Sequence, residues 1–246
     1  MNIGIIGAGN IGGTIARKLV AAGHTVKLAG SKGPDDIRDQ AGQIGAAAVT
    51  SEDAVRNVEV IVLSIPFASI PDVATLFADV PADVVVIDTS NYYPQFGTRI
   101  AEIDEGKPES IWSSEQLGHP VIKTFNAALA KTLADAGKPL GDAHRIAMPI
   151  SGDDRAAKAV AAKLVDAAGF DPVDAGDIDG SWRHQPGTPA YCTELTAPEL
   201  ETALAQAVKD DAPRNRDALM SEFASSETPP SHETIVTRNR EVTAPH

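Results

Sequence analysis

Short apolar runs alternate with segments of helical periodicity through the first 176 residues. Residues 3–6 form an apolar run that ends at Gly7. Across residues 10–22, Ile11, Ile15 and Leu19 recur every four positions and line one face, which predicts a helix. Gly23 suits its end, because a left-handed residue costs glycine little. Residues 24–29 predict a second strand, 35–44 a helix and 47–49 a short strand. The runs at 58–63 and 83–87 are nearly continuous and rich in β-branched residues. That pattern suits strands buried on both faces of a parallel sheet. Strands at 121–125, 145–150 and 170–173 alternate with helices at 127–136 and 153–168.

This alternation predicts an α/β fold, a doubly wound Rossmann-type parallel sheet with right-handed connections, over residues 1–176. The character then changes. Gly176, Gly180, Pro186, Gly187, Pro189 and Pro198 crowd one stretch, and 199–209 reads as a short helix. Residues 177–246 are expected to form a small helical and irregular segment on the substrate side. From Ser225 onward the chain is polar, with Pro229-Pro230 and the single apolar pair Ile235-Val236. A loosely ordered tail is expected there, the alternative being an arm that packs on a partner subunit of a homodimer.

The chain has 246 residues and a formal net charge of -13, which opposes binding to nucleic acid or to an anionic membrane. An anionic ligand therefore needs a local positive site. Cys192 is the single cysteine, so no internal disulfide forms, in keeping with a soluble protein of the reducing cytoplasm. No apolar run reaches membrane-spanning length, and the N-terminus lacks the pattern of a signal peptide.

The sharpest local signal is Gly7-Ala8-Gly9-Asn10-Ile11-Gly12, a G-x-G-x-x-G run between a predicted strand and a predicted amphipathic helix. In such a turn Gly7 permits the tight bend, Gly9 lets the backbone approach a pyrophosphate, and Gly12 lets helix and strand pack closely. The helix N-terminus offers free N–H groups to the anion. A plain structural turn is the alternative. After the second strand comes Ala29-Gly30-Ser31-Lys32-Gly33, with no carboxylate at the strand end. Ser31 and Lys32 stand where a 2′-phosphate needs a donor and a cation, so NADP is the expected cofactor. The alternative is a solvated lysine beside a capping serine. Asp35 and Asp36 belong to the first turn of the next helix, where carboxylates are favourable.

These runs, with Ser64-Ile65-Pro66, Lys123-Thr124-Phe125-Asn126, Gly152-Asp153-Asp154 and Asp174-Ala175-Gly176, resemble the NADPH-dependent deazaflavin (coenzyme F420) reductase family. The resemblance spans about residues 1–176. It implies that Ser31 and Lys32 hold the 2′-phosphate, with Lys32 where the family has arginine. It implies that Ser64, Ile65 and Pro66 pass the nicotinamide ribose, and that Asn126 lies near the nicotinamide ring. Archaeal deazaflavin enzymes tend to carry histidine at that place. Membrane metalloreductases with a similar domain also show a Phe-Asn pair there, and they pass electrons from NADPH to a flavin.

Hydride transfer to a flavin-like ring needs chiefly positioning. No acid/base dyad stands out, and His119, His144 and His184 read as isolated surface or loop residues. Cys192 reads as a small buried thiol. No metal site is indicated. Asn91, after the fifth strand, is a candidate for a nicotinamide or substrate contact, the alternative being a turn cap. Trp182 is a candidate for stacking on a planar acceptor with Arg183 at its anionic tail, the alternative being packing on the sheet edge. Asp153 and Asp154 suit capping of the following helix. The sequence therefore points to an oxidoreductase moving hydride between NADPH and a flavin or deazaflavin co-substrate. A dehydrogenase or reductase of a small carbonyl or imine, and a non-catalytic NADP sensor, are the alternatives.

Overall fold

The computed structural model describes residues 1–244. Its strands are β1 (Asn2–Ile6), β2 (Thr25–Ala29), β3 (Ala47–Val49), β4 (Val60–Leu63), β5 (Val85–Asp88), β6 (Val121–Lys123), β7 (Ala147–Ile150) and β8 (Asp171–Asp174). Helices α1 (Asn10–Ala21) and α2 (Pro34–Ile44) are followed by the short α3 (Ser51–Ala54), α4 (Ile70–Val73) and α5 (Ala101–Asp104). Then come α6 (Glu109–Leu117), α7 (Ala130–Asp135), α8 (Arg155–Ala167), α9 (Ala197–Gln206), α10 (Ala212–Ser225) and α11 (His232–Val242).

Six strands form one parallel sheet in the order β3-β2-β1-β4-β5-β6. This is the doubly wound order in which the chain reverses direction between β1 and β4 and opens a crevice at their carboxyl ends. The continuous apolar runs supply both faces. Val60 and Val62 pack with Ile3 and Ile5 against Ile15 and Leu19 of α1 and Leu164 of α8. Ile61 and Leu63 point the other way, toward Phe67, Ile70 of α4 and Trp112 of α6. Each such side chain contributes about 1.5–3 kcal/mol on full burial.

Two strands leave the expected single sheet. β7 and β8 pair with each other in parallel, and meet the main sheet through an antiparallel bridge between Lys123 and Ser151. The strand expected over 121–125 stops at Lys123, because Phe125 adopts a left-handed backbone (φ 61°). Helix α6 was not foreseen, since its buried positions include Glu109, Ser110 and Ser113 and so carry no clean apolar stripe.

The expectation of a loose C-terminal tail is corrected through residue 244, and residues 245–246 lie outside the described residues. Helices α10 and α11 dock on their own chain. A side chain at Gly187 would strike the Ala212 carbonyl at 2.0 Å, so α10 presses directly on that glycine. Arg240 Nε donates to the Thr193 carbonyl at 2.7 Å, and His232 Nε2 lies 2.8 Å from Glu194 Oε1. A polar sequence is held here by hydrogen bonds to backbone and side chains.

Candidate functional site

The turn between β1 and α1 is built as its glycines require. Gly7 has φ 109°, and a Cβ there would lie 2.0 Å from the Ser64 carbonyl oxygen. A Cβ on Gly12 would lie 1.9 Å from the Gly7 carbonyl oxygen. Both glycines are demanded by internal packing. Gly9 differs, because a Cβ there meets nothing within 4 Å. Its backbone faces open space at the start of α1, a helix with no side-chain cap and no acidic residue in its first turn. The free N–H groups and the positive end of the helix dipole are left for an anion. A dinucleotide pyrophosphate fits this cradle.

Two hollows flank the turn. One, of about 480 Å³, runs past Gly9, Asn10, Gly13, Arg17 and Gln40. The other, of about 400 Å³, lies over the carboxyl ends of β1, β4, β5 and β6. It gathers Gly9, Asn10, Ile11, Ser64, Ile65, Asn91 and Asn126 from distant parts of the chain. Pro66 is exposed and caps the 3-10 turn Phe67–Ser69 beside it. Ser31 and Lys32 sit exposed in the turn after β2, ahead of α2, where Pro34 opens the helix and Asp35 and Asp36 occupy the first turn.

Asn91 and Asn126 are locked by a network behind the floor of the 400 Å³ hollow. Asn126 Nδ2 donates to Asn91 Oδ1 at 3.1 Å and to the His184 carbonyl at 2.9 Å. Asn91 Nδ2 donates to the Asn126 carbonyl at 3.0 Å. The two backbone carbonyls can only accept, so they fix the orientation of both amides. Asn126 Oδ1 then faces His184 Nδ1 at 3.1 Å, and His184 Nε2 faces Ser151 Oγ at 2.9 Å. Complete burial, aided by the Lys123 charge, pushes the His184 pKa down to about 3. The ring is neutral, Nδ1 carries the proton and Nε2 accepts from Ser151. His184 is thus a buried positioning group, in contrast to the surface or loop residue expected. His119 is buried as well, and His144 is exposed.

Beneath this network lies a buried charged cluster. Lys123 Nζ donates to Asp88 Oδ2 at 3.0 Å and to the Ser90 carbonyl, and both charged side chains are fully buried. Ser113 Oγ donates to Asp88 Oδ2 at 3.0 Å. Glu109, also fully buried, leaves Oε2 without a partner, and burial raises its pKa to about 7. Breaking a buried pair such as Lys123–Asp88 by removing one partner costs about 3–5 kcal/mol, so the pair fixes the ends of β5 and β6 below the hollow.

The sequence gives no signal for Tyr191, which also lines the 400 Å³ hollow. The loop that carries it folds back from the C-terminal segment, and Cys192 N donates to the Ala127 carbonyl at 3.0 Å. Phe125 and Cys192, the direct neighbours of Asn126 and Tyr191, both take left-handed backbones (φ 61° and 54°). Such conformations cost about 1–3 kcal/mol each and gather at functional sites. The Cys192 thiol is buried, and burial raises its pKa to about 12, as befits an inert packing residue. Trp182 does not join the cavity. It is half-buried in the 3-10 helix Asp179–His184, with the Arg183 guanidinium 4.5 Å from its ring centroid. Asp154 caps α8 by accepting from Ala157 N at 2.8 Å, and Asp153 accepts from Ile178 N at 3.0 Å. Among the described residues no cluster of metal-ligating side chains occurs, and no helix is long and apolar enough to cross a membrane.

Comparison with known proteins agrees with this geometry. The sequence profile of the family described as NADP oxidoreductase coenzyme F420-dependent matches residues 2–92. The protein YjhV of Escherichia coli K12 is 37% identical over 107 residues, which are 44% of this chain and 78% of YjhV. The solved structure of the hypothetical protein SMa0349 from Sinorhizobium meliloti superposes with a TM-score of 0.69 at 30% identity, over 80% of this chain and 96% of that one. A structure from Arthrobacter sp. FB24, described as an F420-dependent NADP-reductase, shares the fold with a TM-score of 0.55 at 24% identity, over 72% of this chain and 86% of that one.

Proposed function

Since the chain belongs to the family of NADP oxidoreductases described as coenzyme F420-dependent, and is thereby an NADP-dependent oxidoreductase, we propose that it moves hydride between NADPH and a flavin or deazaflavin-type ring. One observation carries the acceptor reading. The 400 Å³ hollow is lined by no histidine, lysine or carboxylate among the described residues. Ring acceptors need only to be positioned, whereas most carbonyl reductions use a proton donor.

In this reading Gly7, Gly9, Asn10, Ile11 and Gly12 hold the pyrophosphate, and Ser31 and Lys32 hold the 2′-phosphate. Ser64, Ile65 and Pro66 border the ribose. Asn91 and Asn126 orient the nicotinamide, whose C4 supplies the hydride when the cofactor is bound. The His184–Ser151 pair keeps the Asn126 amide from rotating. Trp182 would approach an acceptor only from outside the hollow.

A second reading, reduction of a small carbonyl or imine, is favoured by the Tyr93 and Tyr191 hydroxyls, 2.9 Å apart beside the hollow. Titration with NADPH and NADH, then stopped-flow oxidation of bound NADPH by free flavin, deazaflavin and carbonyl compounds, separates the readings. Rapid oxidation by flavin or deazaflavin supports the first, and oxidation by carbonyls alone supports the second. Tight NADPH binding without oxidation by any ring compound overturns the first.

A further inference from the structure

A further chamber, of about 270 Å³, lies behind Tyr191, between the loops that carry Tyr93, Leu129 and Pro186 and the two C-terminal helices. Tyr191 and Leu129 line both this chamber and the 400 Å³ hollow, so the two share a wall. The far walls are apolar: Leu219, Met220 and Phe223 of α10 and Ile235 of α11, with Phe96 at the rim. Phe96 is 75% exposed, with its ring centroid 5.9 Å from that of Tyr93. The close approach of α10 to Gly187 holds these walls in place.

The polar side chains of the lining are Tyr93, Tyr191, Cys192, Arg216 and Asn239. Tyr93 and Tyr191, whose hydroxyls lie 2.9 Å apart, both line the chamber, and Tyr191 also lines the 400 Å³ hollow. Burial raises the pKa of both, so both stay protonated, and with Tyr93 donating to Tyr191 the Tyr191 proton is left for an occupant. Arg216 also borders the chamber, but its guanidinium is paired with Asp217 Oδ1 at 2.8 Å and lies over the Tyr92 ring. Its charge is already satisfied, so the chamber suits an uncharged occupant. At roughly 30 Å³ per non-hydrogen atom there is room for about nine such atoms.

We propose that this chamber binds the apolar body of the acceptor substrate, an uncharged aliphatic or aromatic carbonyl or imine compound whose reducible group lies at the Tyr191 hydroxyl. This rests on the reading that the 400 Å³ hollow takes the nicotinamide, and it develops the second acceptor class.

The test is calorimetric titration of the full chain with primary alcohols from ethanol to decanol, with and without saturating NADP⁺. The alcohols stand for the reduced product. Affinity is expected to rise about fourfold per methylene, the gain from burying one such group, until the chain fills the chamber near eight or nine carbons. Met220→Trp should end the rise several carbons earlier, and Phe223→Ala should weaken long alcohols but not short ones. Neither variant should change NADP⁺ affinity by more than twofold. A flat response to chain length, or a rise that both variants leave unaltered, overturns the proposal. So does a stable dimer that Met220→Trp dissociates and that binds no alcohol, because the walls would then seat a second copy. Wild-type protein that binds alcohols by length but no NADP⁺ keeps the chamber and loses the cofactor reading. NADP⁺ binding without length dependence does the reverse.

Discussion

Asn126 and Asn91 grip each other through both their amides, one bond running from Asn126 Nδ2 to Asn91 Oδ1 at 3.1 Å and the other from Asn91 Nδ2 to the Asn126 carbonyl at 3.0 Å. The pair ties the end of β5 to the end of β6 and sets the floor of the hollow. Asn126→Ala leaves Asn91 Oδ1, His184 Nδ1–H and the His184 carbonyl short of a partner, which should cost about 1–3 kcal/mol of stability. If the pair orients the nicotinamide, kcat should fall about tenfold to a hundredfold while the NADPH Kd moves less than about threefold. Urea unfolding and single-turnover oxidation of bound NADPH measure the two effects. An unchanged kcat would remove Asn126 from the nicotinamide site.

Gly9 and Gly12 of the first turn should respond differently to a methyl group. Gly9→Ala places its Cβ in open space on an extended backbone (φ -71°), so stability should stay within about 0.5 kcal/mol of wild type. The same methyl occupies the cradle, and NADPH affinity should fall at least about tenfold, the equivalent of losing one charge-assisted hydrogen bond. Gly12→Ala drives its Cβ to 1.9 Å from the Gly7 carbonyl and should cost about 1–3 kcal/mol of stability. Thermal unfolding of the apo proteins beside NADPH titration separates the two outcomes. A Gly9→Ala protein that binds NADPH normally would place the cofactor elsewhere.

These glycines also show what the sequence makes legible. Gly7 and Gly12 announce themselves because only glycine fits between a strand end and a helix start packed this closely. The alternation of apolar runs conveys the sheet for a similar reason, since a strand buried on both faces has no polar positions to spare. Asn91 is legible as a residue that follows a strand, and Asn126 through the family resemblance. Tyr191 was not, because it reaches the hollow through a return of the chain that no local pattern encodes. His184 reads in the sequence as an isolated surface or loop residue, because a buried neutral imidazole depends on partners 58 and 33 residues away. Helix α11 was hidden by its polarity. It is held by contacts such as Arg240 to the Thr193 carbonyl and carries little apolar periodicity of its own.

Lys32 tests the choice of cofactor. It is exposed in the turn after β2, where no carboxylate closes the strand end to a phosphate. Lys32→Ala should weaken NADPH about tenfold to a hundredfold, the loss of one charge-assisted hydrogen bond, and NADH less than about threefold. Fluorescence titration of both cofactors measures the ratio. Equal losses would show that Lys32 reads no 2′-phosphate.

Glu109 should make stability depend on pH in a defined direction. Burial raises its pKa from 4.5 to about 7 in the folded chain, so between those values the folded state holds a proton that the unfolded state has released. The stabilising contribution of the neutral carboxyl is therefore complete below about pH 4.5 and is lost as pH rises through about 7. His184 acts in the opposite sense, because its pKa is lowered from 6.5 to about 3 and its contribution is lost as pH falls through that window. The two slopes offset each other in wild type, so the difference between wild type and Glu109→Gln is the informative quantity. The glutamine keeps the shape and cannot ionise, and any cost of its amide is independent of pH. From pH 5 to pH 8 the variant should gain roughly 3 kcal/mol on wild type, following the rise of about 2.5 pH units, and the gain should level off above pH 7. Urea denaturation of both proteins at half-unit steps of pH measures it. A difference that stays flat from pH 5 to pH 8 would mean that the carboxyl finds solvent or a partner and is not the neutral buried acid of this structure.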